Sequence, residues 1–108
     1  MDATFENRED ALEVKLYGEL DHHCTRGLCE SIDFKILRHK PPLLILDFGG
    51  VSFMDSSGLA VVMGRRKMMQ KLDGAVQLCH LNGNTKRIFE MAGIRKYVQI
   101  KEDSYESH

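Results

Sequence analysis

The stretch "LLILDFGGVSFMDSSGLAVVMGRRK", Leu43 to Lys67, passes from a solid aliphatic run through a serine doublet into a segment first apolar and then cationic, and its reading decides the fold. "LLILDF" has strand length and no polar break until Asp47, the pattern of a central strand covered on both faces or nearly so. Gly49 and Gly50 mark the turn after it. Gly58 to Leu72 reads as a helix whose first turns are apolar nearly all round and whose end carries Arg65, Arg66, Lys67 and Lys71, where cations suit the helix dipole. The loop "VSFMDSSG" thus leaves the carboxyl end of the most buried strand, which is where sites gather in α/β sheets.

Working outward, "ATFE" reads weakly as a strand, and "LEVKLY" alternates strictly. Leu12, Val14 and Leu16 face a core while Glu13, Lys15 and Tyr17 face out, in a strand antiparallel to the first and ended by Gly18. From Asp21 the period becomes helical: Thr25, Leu28, Cys29, Ile32 and Ile36 share a face, Asp21 is the expected N-cap, and Pro41 and Pro42 stop the helix. Downstream, Asp73 and Gly74 break the second helix and "AVQLC" is a strand. Asn82 caps a helix in "GNTKRIFEMA" that Gly93 terminates, and "KYVQI" closes the sheet. The expected architecture is a single α/β domain over residues 1–108, with a mixed four- to five-stranded sheet packed with helices, right-handed crossovers, and a polar tail from about 101 to 108.

At 108 residues a single core is expected, and with it one active surface. Fifteen Lys and Arg against sixteen Asp and Glu give no electrostatic footprint for nucleic acid or an anionic membrane. No apolar run is long enough to span a bilayer, and the acidic "MDATFENRED" lacks the regions of a signal peptide, so a cytoplasmic protein is expected. Three cysteines, Cys24, Cys29 and Cys79, are too few and too irregular for a disulfide framework and are expected reduced. No Gly-x-Gly-x-x-Gly or Walker-type string is present, and no cofactor is expected.

Ser56 and Ser57 carry three readings. Either can cap the following helix, worth about 1 kcal/mol. Either can be the nucleophile of a small serine hydrolase, but the elbow Gly-x-Ser-x-Gly lacks its first glycine here, and of the histidines only His22 and His23 are placed for a base. The third reading is phosphorylation: a phosphate at a helix N-terminus is tolerated by the fold while it adds about −1.5 to −2 charges beside Asp55.

The motifs "YGELDHH", Tyr17 to His23, and "LDFGGVSFMDSSGLAVVMGR", Leu46 to Arg65, resemble the STAS domain of bacterial anti-sigma factor antagonists, and within it the sporulation branch of the sigma F pathway. "NTKRIFEMAGI" is similar to that family's third helix, so the likeness runs from about Ala11 to Ile100. The resemblance implies a non-enzymatic switch. The unmodified protein binds an anti-sigma factor that is also a serine kinase and so frees the sigma factor, the kinase phosphorylates Ser56, and a serine phosphatase reverses it. It also implies a partner surface of Asp21, Asp55, Ser56, Ser57, Gly58 and Leu59, on a monomer. The general-stress antagonists share the serine loop, and a ligand-binding STAS module is the alternative of a different class. The sequence departs from the family in having Gly83 where proline is frequent, and only "KEDSYESH" where a further helix usually follows.

Two signals are discounted. Cys24 and Cys29 lie on different helix faces, and Cys79 and His80, adjacent on a strand, are expected to point to opposite faces, so no metal site is expected. The cations of "GRRKMMQK" are expected to form a solvated face, and Met63, Met68 and Met69 to pack at the core or its edge.

Overall fold

The computed structural model describes residues 2–102, which form five strands and three α-helices in the expected order. β1 (Asp2–Asn7) pairs antiparallel with β2 (Leu12–Leu20); α1 (Thr25–His39) leads to β3 (Leu43–Met54), and α2 (Ser57–Lys71) to β4 (Ala75–Cys79). α3 (Gly83–Met91) and a 3-10 turn (Ile94–Lys96) lead to β5 (Gln99–Lys101), and β2 through β5 are parallel. The sheet runs β1-β2-β3-β4-β5. With right-handed crossovers, strands laid down in sequence order place their helices on one face of the sheet. The expected tail reaches beyond residue 102, and its residues 103–108 lie outside the described residues. Among the described residues no helix is long and apolar enough to cross a membrane.

Alternation along the strands builds the core in rows. Leu12, Leu44 and Val76 sit opposite one another, and Val14, Leu46 and Leu78 form the next row. All six are at most 3% exposed. Leu28, Ile32 and Ile36 of α1 fall at intervals of four and present one buried stripe to them. Each such side chain stabilises the fold by roughly 1.5 to 3 kcal/mol relative to exposure. Phe48 of β3 receives Phe89 of α3 edge-on, with ring centroids 5.1 Å apart. Met69 is fully buried, and Met63 and Met68 pack against the core.

The structure corrects several boundaries. Gly18 does not end β2, nor do Gly49 and Gly50 end β3; both strands continue to Leu20 and Met54. The reason is two register shifts. Lys15 pairs with Asp47 but Tyr17 with Gly50, and Gly18 pairs with Val51 but Glu19 with Phe53, so over the paired stretch β3 carries two residues more than β2. Bulges accommodate glycine inside a strand, and Gly18 adopts φ 95° at the second of them. Gly50 is needed for space, since a Cβ there would lie 2.8 Å from the Leu16 carbonyl oxygen and 2.5 Å from the Tyr17 ring. β3 is less covered than its composition suggests: Leu43 and Ile45, on the face away from Leu44 and Leu46, are half-buried. Of "KYVQI", Lys96, Tyr97 and Val98 precede β5 and do not belong to it.

Arg65 is not part of a solvated face. It continues the buried stripe Gly58, Val61, Val62 and Met69 of α2, and its Nε lies 2.7 Å from Asp33 Oδ1 of α1. Burial raises the Asp33 carboxyl above its ordinary range, and the Arg65 charge opposes that shift.

Candidate functional site

The two strand-to-helix junctions lie side by side because β2 and β3 are parallel neighbours. Leu20 and Met54 are the last register pair, and the Asp55 N–H donates to the Leu20 carbonyl at 3.2 Å. The turn 21–24 therefore flanks the step from Asp55 and Ser56 into α2, and both emerge at the carboxyl ends of parallel strands.

Asp21 is spent on its own turn. Its Oδ1 accepts from the backbone N–H of His23 at 3.0 Å and of Cys24 at 3.3 Å. α1 starts later, at Thr25, with Cys24 in the N-cap position and no side-chain cap. The expected helix cap is thus a turn cap, the local hydrogen bonding that short polar side chains offer. His22 and His23 are exposed, with their rings 4.0 Å apart.

The cap at α2 is likewise one residue removed from expectation. Asp55 Oδ1 accepts the Ser57 backbone N–H at 2.8 Å, while Ser56 occupies the N-cap position with no capping bond from its side chain. Ser56 itself has helical dihedrals, φ −64° and ψ −10°, whereas a capping side chain starts from extended backbone, so its hydroxyl makes no cap and the exposed residue is left at the surface. The Ser57 backbone N–H, followed by the Ser57 hydroxyl, holds the Asp55 carboxyl below its ordinary value, with smaller contributions from the His22 charge and backbone N–H. Asp55 is therefore an anion throughout the physiological range.

That depression has a testable sign. A carboxyl whose folded pKa lies below its unfolded value, here 3.8, contributes stability that is complete above 3.8 and is lost as pH falls through the lowered folded value. Asp55→Asn should therefore melt below wild type at pH 7, and the gap should narrow as pH falls below 3.8. Thermal unfolding of both proteins across that range checks it; a gap constant with pH would mean that Asp55 acts without its charge.

The remaining members of the expected surface divide by burial. Ser56 is exposed and Ser57 half-buried; Gly58 is buried, and Leu59 is half-buried against the core. Three further features join the site. Phe53, 49% exposed, adds an aromatic ring two residues before Asp55. Asn82 caps α3 by accepting from the Thr85 N–H at 3.0 Å, as the sequence predicts, but its amide also donates to the Val51 carbonyl at 2.9 Å. Asn84 donates to the Met54 carbonyl at 3.2 Å. The start of α3 therefore braces the end of β3 immediately before Asp55. Two asparagines within three residues at a helix start were the available signal.

A family model described as the STAS domain matches residues 2–107. The chain is 35% identical over 95 residues to an anti-sigma F factor antagonist of Paenibacillus polymyxa, covering 88% of this chain and 81% of that one. It is 30% identical over 96 residues to an anti-sigma-B factor antagonist of Bacillus subtilis, covering 89% and 86%. Among solved structures it is similar to the anti-sigma factor antagonist SpoIIAA in its unphosphorylated form, with TM-score 0.82, 25% identity, and coverage of 98% of this chain and 91% of that one. It is also similar to the Bacillus SpoIIAA in the phosphorylated form, with TM-score 0.75, 25% identity, and coverage of 98% and 95%.

Proposed function

The chain belongs to the STAS domain family, and from that premise we propose that it is an anti-sigma factor antagonist switched by phosphorylation of Ser56. The unmodified protein binds an anti-sigma factor that is also a serine kinase, and the sigma factor is released. Phosphate on Ser56 ends that binding, and a serine phosphatase restores it. The sporulation pathway of sigma F is the one assigned, on "GELDHH" and on the Paenibacillus relative. The switch operates in the cytoplasm, and the protein is the substrate of the kinase reaction and not its catalyst.

The observation that carries this reading is the division of labour at the start of α2. Asp55 caps the helix, so Ser56 is an exposed serine whose hydroxyl the fold does not use as a cap. Modification leaves the cap in place and changes the surface. The site goes from one negative charge to about −2.5 to −3. The helix dipole offsets part of this within the fold, and a partner that presents an acidic group feels the rest. Asp21, Asp55, Ser57, Gly58 and Leu59 complete the proposed partner surface, with Gly58 contributing close packing beneath it.

The test is mass spectrometry of the protein after incubation with ATP and the anti-sigma factor kinase of the same cell. One added phosphate localised to Ser56, absent from Ser56→Ala, is expected. Phosphate on Ser57 or elsewhere would overturn the assignment of Ser56. No phosphate with the sporulation kinase, but transfer with a general-stress kinase, would move the protein to the sigma-B branch.

A further inference from the structure

A second group of chemically active side chains stands on the face of the sheet opposite Leu46. Asp47 and Cys79 are direct partners in the parallel β3–β4 pair, so their side chains leave the same face. They are 8% and 5% exposed. His80 follows Cys79 and would point the other way if the strand continued. Instead its φ of 57° turns the chain, and its Nδ1 comes to 3.1 Å from Asp47 Oδ1. The expectation that Cys79 and His80 face apart is thereby corrected. Gly49 makes the room: a Cβ there would stand 3.1 Å from Asp47 Oδ1 and 3.2 Å from His80 Cβ. A carboxylate oxygen of Asp47, the Cys79 sulfur and an imidazole nitrogen of His80 all lie within 4.8 Å of one another.

We propose that Asp47, Cys79 and His80 form a binding site for a divalent cation of the zinc class. The donor set selects the metal. Thiolate and imidazole suit zinc and its borderline neighbours, whereas magnesium and calcium take oxygen donors. Charge closes as well: one thiolate and one carboxylate neutralise a dication, the imidazole binds neutral, and the Cys79 thiol proton is released to solvent. Ligands at metal–donor distances of about 2.0 to 2.3 Å around a tetrahedral ion sit within 4 Å or so of one another, so the three donors need only close slightly. With three protein ligands and His80 exposed, the fourth position faces solvent and takes water. Because His80 opens the connection from β4 to α3, the ion would join that connection to β3.

Titration of the chelator-treated, reduced protein with Co2+ tests the site, since a cobalt–thiolate bond gives a charge-transfer absorption that oxygen and nitrogen ligands do not. One equivalent should bind with that absorption, and Zn2+ should displace it. Cys79→Ser should abolish the absorption, and His80→Ala and Asp47→Asn should weaken binding by at least the roughly 10- to 100-fold that loss of even an outer-shell partner costs. Cys24→Ser combined with Cys29→Ser should leave it unchanged. No thiolate absorption in the folded wild type would overturn the site, as would an absorption that survives Cys79→Ser. Should Cys79→Ser fail to fold, the exposed His80→Ala decides: unchanged Co2+ affinity there overturns the proposal.

Discussion

Ser56→Asp is expected to fold with a thermal midpoint near that of wild type and to bind the proposed anti-sigma factor kinase about 3- to 100-fold more weakly. The fold is spared because Ser56 already stands in the N-cap position without capping, and a carboxylate at a helix N-terminus is favourable. Binding is lost through charge. One added negative charge about 6 Å from an acidic group of the partner costs roughly 0.7 to 2.8 kcal/mol between effective dielectrics of 80 and 20, or about 3- to 100-fold. A phosphate, with nearly twice the charge, reaches roughly 1 to 5 kcal/mol. Ser56→Ala removes the hydroxyl without adding charge and should bind like wild type. Calorimetric titration of the three proteins against the kinase measures this directly. An unchanged dissociation constant for Ser56→Asp, with the variant folded, would sink the charge-release mechanism.

The largest effect on stability is expected at Phe89. Its ring and that of Phe48 are fully buried and meet edge to face, so Phe89→Ala removes a large side chain from a site with no solvent to fill it. Such truncations cost about 3 to 5 kcal/mol, a large share of the roughly 5 to 15 kcal/mol that holds a small domain together. The thermal midpoint should fall by more than about 10 °C. Phe34→Ala is the control, because Phe34 is 61% exposed and its loss should cost within about 0.5 kcal/mol. Equal losses from the two variants would contradict the core described above. Phe89 also docks the helix whose asparagines hold the Val51 and Met54 carbonyls, so weakened partner binding by folded Phe89→Ala should accompany its lower stability.

What could be read from the chain beforehand was whatever depends on local period. Leu12, Val14 and Leu16 alternate, Leu28, Ile32 and Ile36 recur every four residues, and Asn82 stands ahead of a helix start; each was found where expected. What escaped depends on partners distant in sequence. Gly49 and Gly50 carry the composition of a turn, and only pairing with β2, with its two register shifts, keeps them in a strand. Arg65 lies on an apolar stripe, but its charge suggested solvent until Asp33 of another helix supplied the counterion. At the site, the position of the serine motif was legible and the identity of the cap was not. Asp55, Ser56 and Ser57 are all good capping residues, and the choice is made by backbone geometry at the end of β3. His80 escaped for a related reason, since a single left-handed residue reverses the facing that strand alternation implies.

The order β1-β2-β3-β4-β5 bears on how the chain assembles as well as on where its helices lie. Every strand finds its neighbour in the segment just before it, so no strand must wait across the length of the chain for a partner, as it must in sheets that begin in the middle. Each loop closed during folding is one strand–helix unit long, which keeps the sequence separation of contacts low for a parallel sheet and favours rapid folding. Emerging from the ribosome amino end first, the chain presents its strands in the order in which they lie in the sheet. The serine at the start of α2 belongs to the third strand's unit, so it and its junction with β2 are synthesised before the helix that braces them.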